Sequence, residues 1–343
     1  MKIIKTILGV LITLIIVIIV GLWGYLRFSG PDPHFAGVCE TLDLDGSAED
    51  IQIDRQRGFA YLSLIDRAAL ARGEPARGWI GRIDLHADSL SVEPALIDPP
   101  DPLRPHGLSL YIDDNGRRTM ALINHPVNRG SEPEHIELFT EEEPGRFRHL
   151  RSFTDELIAR PNDLVAVGPE QYYVANDSPP NSGELTKLIY VDHDKARVVA
   201  NDIRSGGGIN ASPDGRILYV AETGGQELRV LRRNPTDDSV ETVTRIALGT
   251  SPDNIDVAAD GSLWIGAHSS LPALVMHFIL GTDAPSQILR VEIDTGGNAN
   301  VEEIYLNRGD EISASSVGAT YGNTLLIGSI TAPKILICTM DEV

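Results

Sequence analysis

The sequence predicts an all-β protein, a six-bladed β-propeller preceded by one N-terminal transmembrane helix. Three observations point there. A strand–turn–strand unit recurs along almost the whole chain. Cysteines stand near both ends of the repeating part. The first 30 residues have a composition unlike the rest.

The N-terminal segment comes first. Lys2 and Lys5 precede TILGVLITLIIVIIVGLWGYL, Thr6 to Leu26, in which 21 residues carry no charge. As a helix at about 1.5 Å per residue this stretch reaches about 31 Å, the thickness of a bilayer's hydrocarbon core. A cleaved signal would be shorter and would end in a small-residue site; RFSGPDPHFAG offers none that convinces. The segment reads as an uncleaved signal-anchor over residues 1–30, with cleavage as the alternative. The two lysines favour a cytoplasmic N-terminus, with Arg27 opposing them. Residues 31–343 then form one extracytoplasmic domain, periplasmic if the host is Gram-negative.

Past Gly37 no helical periodicity of useful length is found. Six hairpin units stand out instead: IQIDRQRGFAYLSL, LSLYIDDNGRRTMALIN, LVAVGPEQYYVAN, INASPDGRILYVAE, IDVAADGSLWIGA and VGATYGNTLLIGS. Asn115-Gly116, Asp214-Gly215 and Asp260-Gly261 are strong turn signals between alternating strands. The copies recur at roughly 45 to 60 residues, the blade period of a propeller. A ring must be shut between its first and last strands. A bond from Cys39 to Cys338 would do that in an exported chain, where thiols can oxidise; two unrelated buried thiols are the alternative.

The residues that open each unit carry the chemistry. Glu49-Asp50, His106, Asn162-Asp163, Gly207 to Asn210, Asp253-Asn254 and Ser315-Ser316 hold nearly the same phase in the repeat. One such pair alone would read as a turn cap. Equivalent positions in a propeller share a radius and a height, so on first strands lining the channel these groups converge. Crowded carboxylates and amides need a neutralising partner. Oxygen donors without a Cys or His cluster favour Ca²⁺ over Zn²⁺, which makes the channel a calcium tunnel. The balance of 49 acidic to 29 basic residues, net −20, argues against nucleic acid as a partner.

With GSAEDIQI, PHGLSLY, INHP, PNDLVAVGPEQYYVAND, GINASPDGRILYVAE, PDNIDVAADGSLWIGAH and GATYGNTLLIGS in this order, the chain resembles the paraoxonases, also called arylesterases, from about Cys39 to Cys338. The resemblance implies a calcium-dependent lactonase and arylesterase with two ions in the tunnel. A catalytic ion would be held by Glu49, Asn162, Asp253 and Asn254. A structural ion would take Asp50, Asp163 and the main-chain oxygen of Leu108. His106 would activate water and His125 assist it. Asp177, Asn210 and His268 match positions at or near the site, and Cys39–Cys338 matches a ring-closing disulfide. Two departures stand out. Gly207 occupies the place of a family asparagine ligand: the site would survive with lower affinity, Asn210 would swing in, or activity would be lost. Only SPPNSGELTKL, Ser178 to Leu188, follows the ND motif, where animal relatives carry a longer wall that also contacts membranes.

The expected reaction is metal-assisted hydrolysis of a lactone or aryl ester by water, with acyl-homoserine lactones among the plausible substrates and phosphotriesters as side substrates. No GxSxG elbow supports an acyl-enzyme serine. A sugar-lactone hydrolase resembling gluconolactonase and a non-catalytic calcium-stabilised binding module are the competing readings. A strictosidine-synthase-like activity does not need these ligands.

Overall fold

The computed structural model describes residues 32–341 except 180, 181 and 295, together with eight scattered positions between 9 and 21. Among the described residues no helix is long and apolar enough to cross a membrane. Most of the expected anchor at 6–26 lies outside them.

The described chain folds into six sheets of four or five strands, the expected propeller. The innermost strands are Ser47–Asp54, Pro105–Ile112, Pro161–Gly168, Gly206–Ala211, Ser251–Val257 and Ser315–Tyr321, taken here as the first strands of blades 1 to 6. Each pairs antiparallel with the strand that follows it, so every quoted unit of sequence is the inner hairpin of one blade. Apolar side chains on the two faces of each sheet bury themselves against the neighbouring sheets, giving six core clusters. One joins Leu62 and Leu64 of blade 1 to Val317 and Leu326 of blade 6. Another joins Ile123 of blade 2 to Leu164 and Val174 of blade 3.

A cycle of hydrogen bonds runs around the inner strands. Leu108 N donates to Asp50 Oδ2 at 2.8 Å, and Ala166 N to Ser109 Oγ at 3.0 Å. Ile209 N donates to Asp163 Oδ2 at 2.7 Å, and Asn210 Nδ2 to the Ile255 carbonyl at 2.7 Å. Thr320 N donates to Asp256 Oδ2 at 2.9 Å, and Ser316 Oγ to the Glu49 carbonyl at 2.6 Å, which returns to blade 1. Buried polar groups are satisfied here by the next blade, so the ring is pinned at its narrowest radius.

The outer closure is made by Gly37–Asp43, which adds to Lys334–Met340 as the fourth strand of blade 6. Cys39 faces Cys338 in that register, and the two form a disulfide across 299 residues of sequence. The loop-entropy model puts the stabilisation of so long a loop near 5 kcal/mol, as an upper estimate. Cys39→Ser should therefore lower the melting temperature and leave the wild type and the variant indistinguishable under reducing conditions, a comparison that calorimetry can make.

Two helices depart from the all-strand expectation, Arg67–Ala71 and Leu271–Leu280. The second reads LPALVMHFIL, apolar all round but for His277, so it shows no periodicity. Its ends carry the signals instead: Ser270 accepts from Ala273 N as N-cap, and Gly281 closes it with φ 66°.

Candidate active site at the tunnel mouth

Each of the six inner strands has a register shift at the same level. In blade 1 the shift falls between Ala48 and Ile51, in blade 2 between Pro105 and Leu108, and in blade 3 between Pro161 and Asp163. In blades 4, 5 and 6 it falls between Gly206 and Ile209, Pro252 and Ile255, and Ser315 and Val317. In a regular strand consecutive side chains point to opposite faces. A bulge sets two residues against one and re-aims them. Glu49-Asp50, Asn162-Asp163 and Asp253-Asn254 are the bulged residues of their blades. This explains in backbone terms why polar residues come in pairs where a strand enters the core.

The bulges bring the expected groups together. Asn254 Nδ2 donates to both the carbonyl and Oε1 of Glu49, each at 2.9 Å. His106 Nδ1 lies 2.7 Å from the Asn162 carbonyl and 3.4 Å from Glu49 Oε2. His268 Nε2 lies 3.1 Å from Asp253 Oδ2. The rings of His106 and His125 stand 4.8 Å apart between centroids. His125 Nδ1 lies 2.7 Å from Glu134 Oε2, and Arg129 Nε donates to the other oxygen of Glu134 at 2.9 Å.

The donors left over are informative. Glu49 Oε2, Asn162 Oδ1 and Asn254 Oδ1 are buried and accept no hydrogen bond. All three belong to the set expected around a catalytic calcium. Buried oxygens without a donor cost on the order of 1–3 kcal/mol each, so their coincidence fits a cation. Among the described residues no three His, Cys, Asp or Glu side chains cluster as a metal site. An ion here would therefore draw on amide oxygens, as calcium does.

Asp50 and Asp163 fit a second ion less sharply. Asp50 accepts from Ile51 N at 2.7 Å as well as from Leu108 N, and Asp163 from Leu164 N at 2.7 Å as well as from Ile209 N. Each thus staples two blades without a metal. Their charges are still uncomfortable. Burial, then the Glu49 carboxylate, pushes Asp50 up to about 8. Burial, then Asp50, holds Asp163 well above the usual range. A cation between them would relieve both.

Burial lowers the basicity of His106, and that of His125 further, with the charge of His106 as the second cause for His125.

Another expectation needs correction. Asn210 does not swing in: Nδ2 is spent on the Ile255 carbonyl, and Oδ1 accepts from Ala211 N at 2.8 Å. Asp177, expected only as a neighbour of the site, is paired with Arg160 at 2.8 Å, and its charge helps to raise Glu134. Sequence reasoning missed Glu134 and Arg67. Arg67 donates to the carbonyls of Ser47 at 3.0 Å and Pro105 at 2.7 Å, tying blades 1 and 2 beside the acidic group. Neither lies in the repeating phase that exposed the other residues. A cavity of about 800 Å³ opens near Arg55, Asp260 and Tyr321, by the turns that end the inner strands, so it lies at the far end of the ring from this site.

Gly107 offers a direct check on the packing. A Cβ at that position would stand 2.3 Å from Asp163 Oδ1, 2.6 Å from Asp163 Cα and 2.8 Å from the Asn162 carbonyl. Backbone cannot yield as a side-chain tip can. Gly107→Ala should cost roughly 1–3 kcal/mol by overpacking and disturb the Asn162-Asp163 pair, readable as a lower melting temperature and weaker calcium stabilisation.

The arylesterase family model matches residues 83–340. Serum paraoxonase/lactonase 3 of Rattus norvegicus is 30% identical over 326 residues, 88% of each chain. Serum paraoxonase/arylesterase 2 of Rattus norvegicus is 30% identical over 241 residues, 66% of each chain, so the match spans just under two thirds of that relative. Among solved structures, the Malassezia sympodialis allergen Mala s 1 superposes with a TM-score of 0.59 at 14% identity, covering 91% of this chain and 96% of that one. Regucalcin from Agrobacterium tumefaciens, a calcium-binding protein, gives 0.51 at 15% identity, covering 90% and 96%. At such identities the structural likeness shows the propeller alone, whereas the family model and the paraoxonase matches carry the assignment: the chain belongs to the arylesterase family, a family of hydrolases.

Proposed function

We propose that this protein hydrolyses lactones and aryl esters at the tunnel mouth, with calcium held by Glu49, Asn162, Asp253 and Asn254. The observation that carries the reading is the set of three buried oxygens on Glu49, Asn162 and Asn254 that accept no hydrogen bond. A second ion would draw on Asp50, Asp163 and Leu108. Bound calcium supplies a Lewis acid that polarises the substrate oxygen and stabilises the charge developing on it.

The chain's own groups supply the rest. With Nδ1–H of His106 donated to the Asn162 carbonyl, Nε2 is the nitrogen left to take a proton from water. Its lowered basicity keeps it unprotonated at neutral pH. Nδ1–H of His125 is fixed by Glu134, and its buried Nε2 has no partner. His125 stands beside His106, with ring centroids 4.8 Å apart, and assists by holding that ring in place, with Glu134 fixing its own orientation. His268 orients Asp253.

The rim suits an apolar substrate. Three residues past His268 the helix Leu271–Leu280 begins, with Val275, Phe278, Ile279 and Leu280 exposed. The uncharged stretch at 6–26 supports a membrane tether with the propeller outside the cytoplasm. Turnover of γ- and δ-lactones and of phenyl acetate, measured in EGTA and in calcium, tests the reading; equal rates in the two would overturn it. The non-catalytic reading predicts calcium-dependent melting with no turnover at all.

A further inference from the structure

Blade 4 is the odd member of the site. Blades 1, 3 and 5 put Glu49, Asn162 and Asp253 at their bulges, where blade 4 has Gly206 to Gly208. Gly207 is not among the glycines with positive φ, so its backbone makes no demand for glycine. What it lacks is room. A Cβ at position 207 would lie 2.4 Å from Thr223 Oγ1 and 3.3 Å from Asp253 Oδ1.

The first distance is telling. In an asparagine the amide oxygen stands two bonds from Cβ, a C–C of about 1.5 Å and a C=O of about 1.2 Å, hence about 2.4 Å away. The Thr223 hydroxyl thus occupies a place that an amide oxygen carried by residue 207 could reach. It arrives from the turn that follows the adjacent strand, Ile217–Glu222. Gly206 pairs with Glu222, and Thr223 follows Glu222 directly. The hydroxyl is also fixed: it donates to the Pro252 carbonyl at 2.8 Å, which commits its proton to blade 5. Its lone pairs remain available beside Asp253.

We infer that Gly207 and Thr223 act as a pair, the glycine clearing space so that the threonine hydroxyl supplies blade 4's oxygen to the calcium site. The inference rests on the calcium reading above and adds a residue to it. It also decides what Gly207→Asn should do. The added side chain would meet the Thr223 hydroxyl before it could offer its own oxygen.

The test is calcium binding by calorimetry on the full-length, calcium-stripped protein, with the melting temperature in EGTA recorded for each variant. Thr223→Val removes the oxygen and keeps the shape; Thr223→Ser keeps the oxygen. Thr223→Val should weaken calcium binding about tenfold, the scale at which the surroundings of a metal site tune its affinity, with little change of melting in EGTA. Thr223→Ser should bind as wild type. Gly207→Asn alone should not tighten binding, whereas Gly207→Asn with Thr223→Ala should recover or exceed wild-type affinity. Wild-type binding in Thr223→Val, or a single Gly207→Asn that binds as tightly as the double variant, would overturn the pairing. A fall in EGTA melting with unchanged affinity would assign Thr223 to packing alone and equally overturn it. A wild-type protein that binds no calcium would remove the calcium reading itself and this inference with it.

Discussion

Asp253→Ala is expected to abolish hydrolysis while the propeller stays folded. Asp253 is buried, contacts His268, and borders both the Gly207 gap and the acidic group of Glu49 and Asp50. Its charge is one of those that raise Asp50. Deleting it removes an oxygen from the site and also relieves repulsion among buried carboxylates. Melting in EGTA should therefore hold or rise, while the stabilisation by calcium shrinks. Losing one preorganised charge-stabilising group costs about 10²–10³ in rate, and losing the ion with it costs more. Phenyl acetate turnover and melting curves with and without calcium measure both effects. Wild-type-like turnover would sink the metal assignment.

His106→Gln should separate the base from the metal. Glutamine can still donate to the Asn162 carbonyl that now binds Nδ1, yet it cannot take a proton at neutral pH. A positioned general base contributes about 10²–10⁴-fold. Turnover should fall on that scale while calcium still raises the melting temperature as in the wild type. His125→Gln should lose less, since His125 acts through His106. Equal losses of turnover and of calcium stabilisation in His106→Gln would instead mark His106 as a structural support of the ion site.

The inner hairpins were legible in the sequence because their turns carry their own chemistry, as at Asn115-Gly116 and Asp260-Gly261. Repetition placed the polar pairs at one height, and the disulfide follows from the closing register of Cys39 and Cys338. The bulges were not legible, since a register shift depends on the partner strand, and they decide why both members of a pair turn to the channel. The helix Leu271–Leu280 was hidden by being apolar all round but for His277. Asn210 was misjudged because its amide serves the seam to blade 5, a contact 45 residues away in sequence. Glu134 and Thr223 stand outside the repeating phase, and only packing across hairpins brings them to His125 and Gly207.

A calcium held by these oxygens is proposed to drive the hydrolysis. The most direct measurement strips the full-length protein of calcium and follows hydrolysis of γ- and δ-lactones and phenyl acetate as calcium is titrated back. Turnover should rise with calcium along the same curve as the melting temperature. Thermal stabilisation by calcium with no turnover on any of these substrates would contradict the account and show a propeller that keeps its metal without the chemistry.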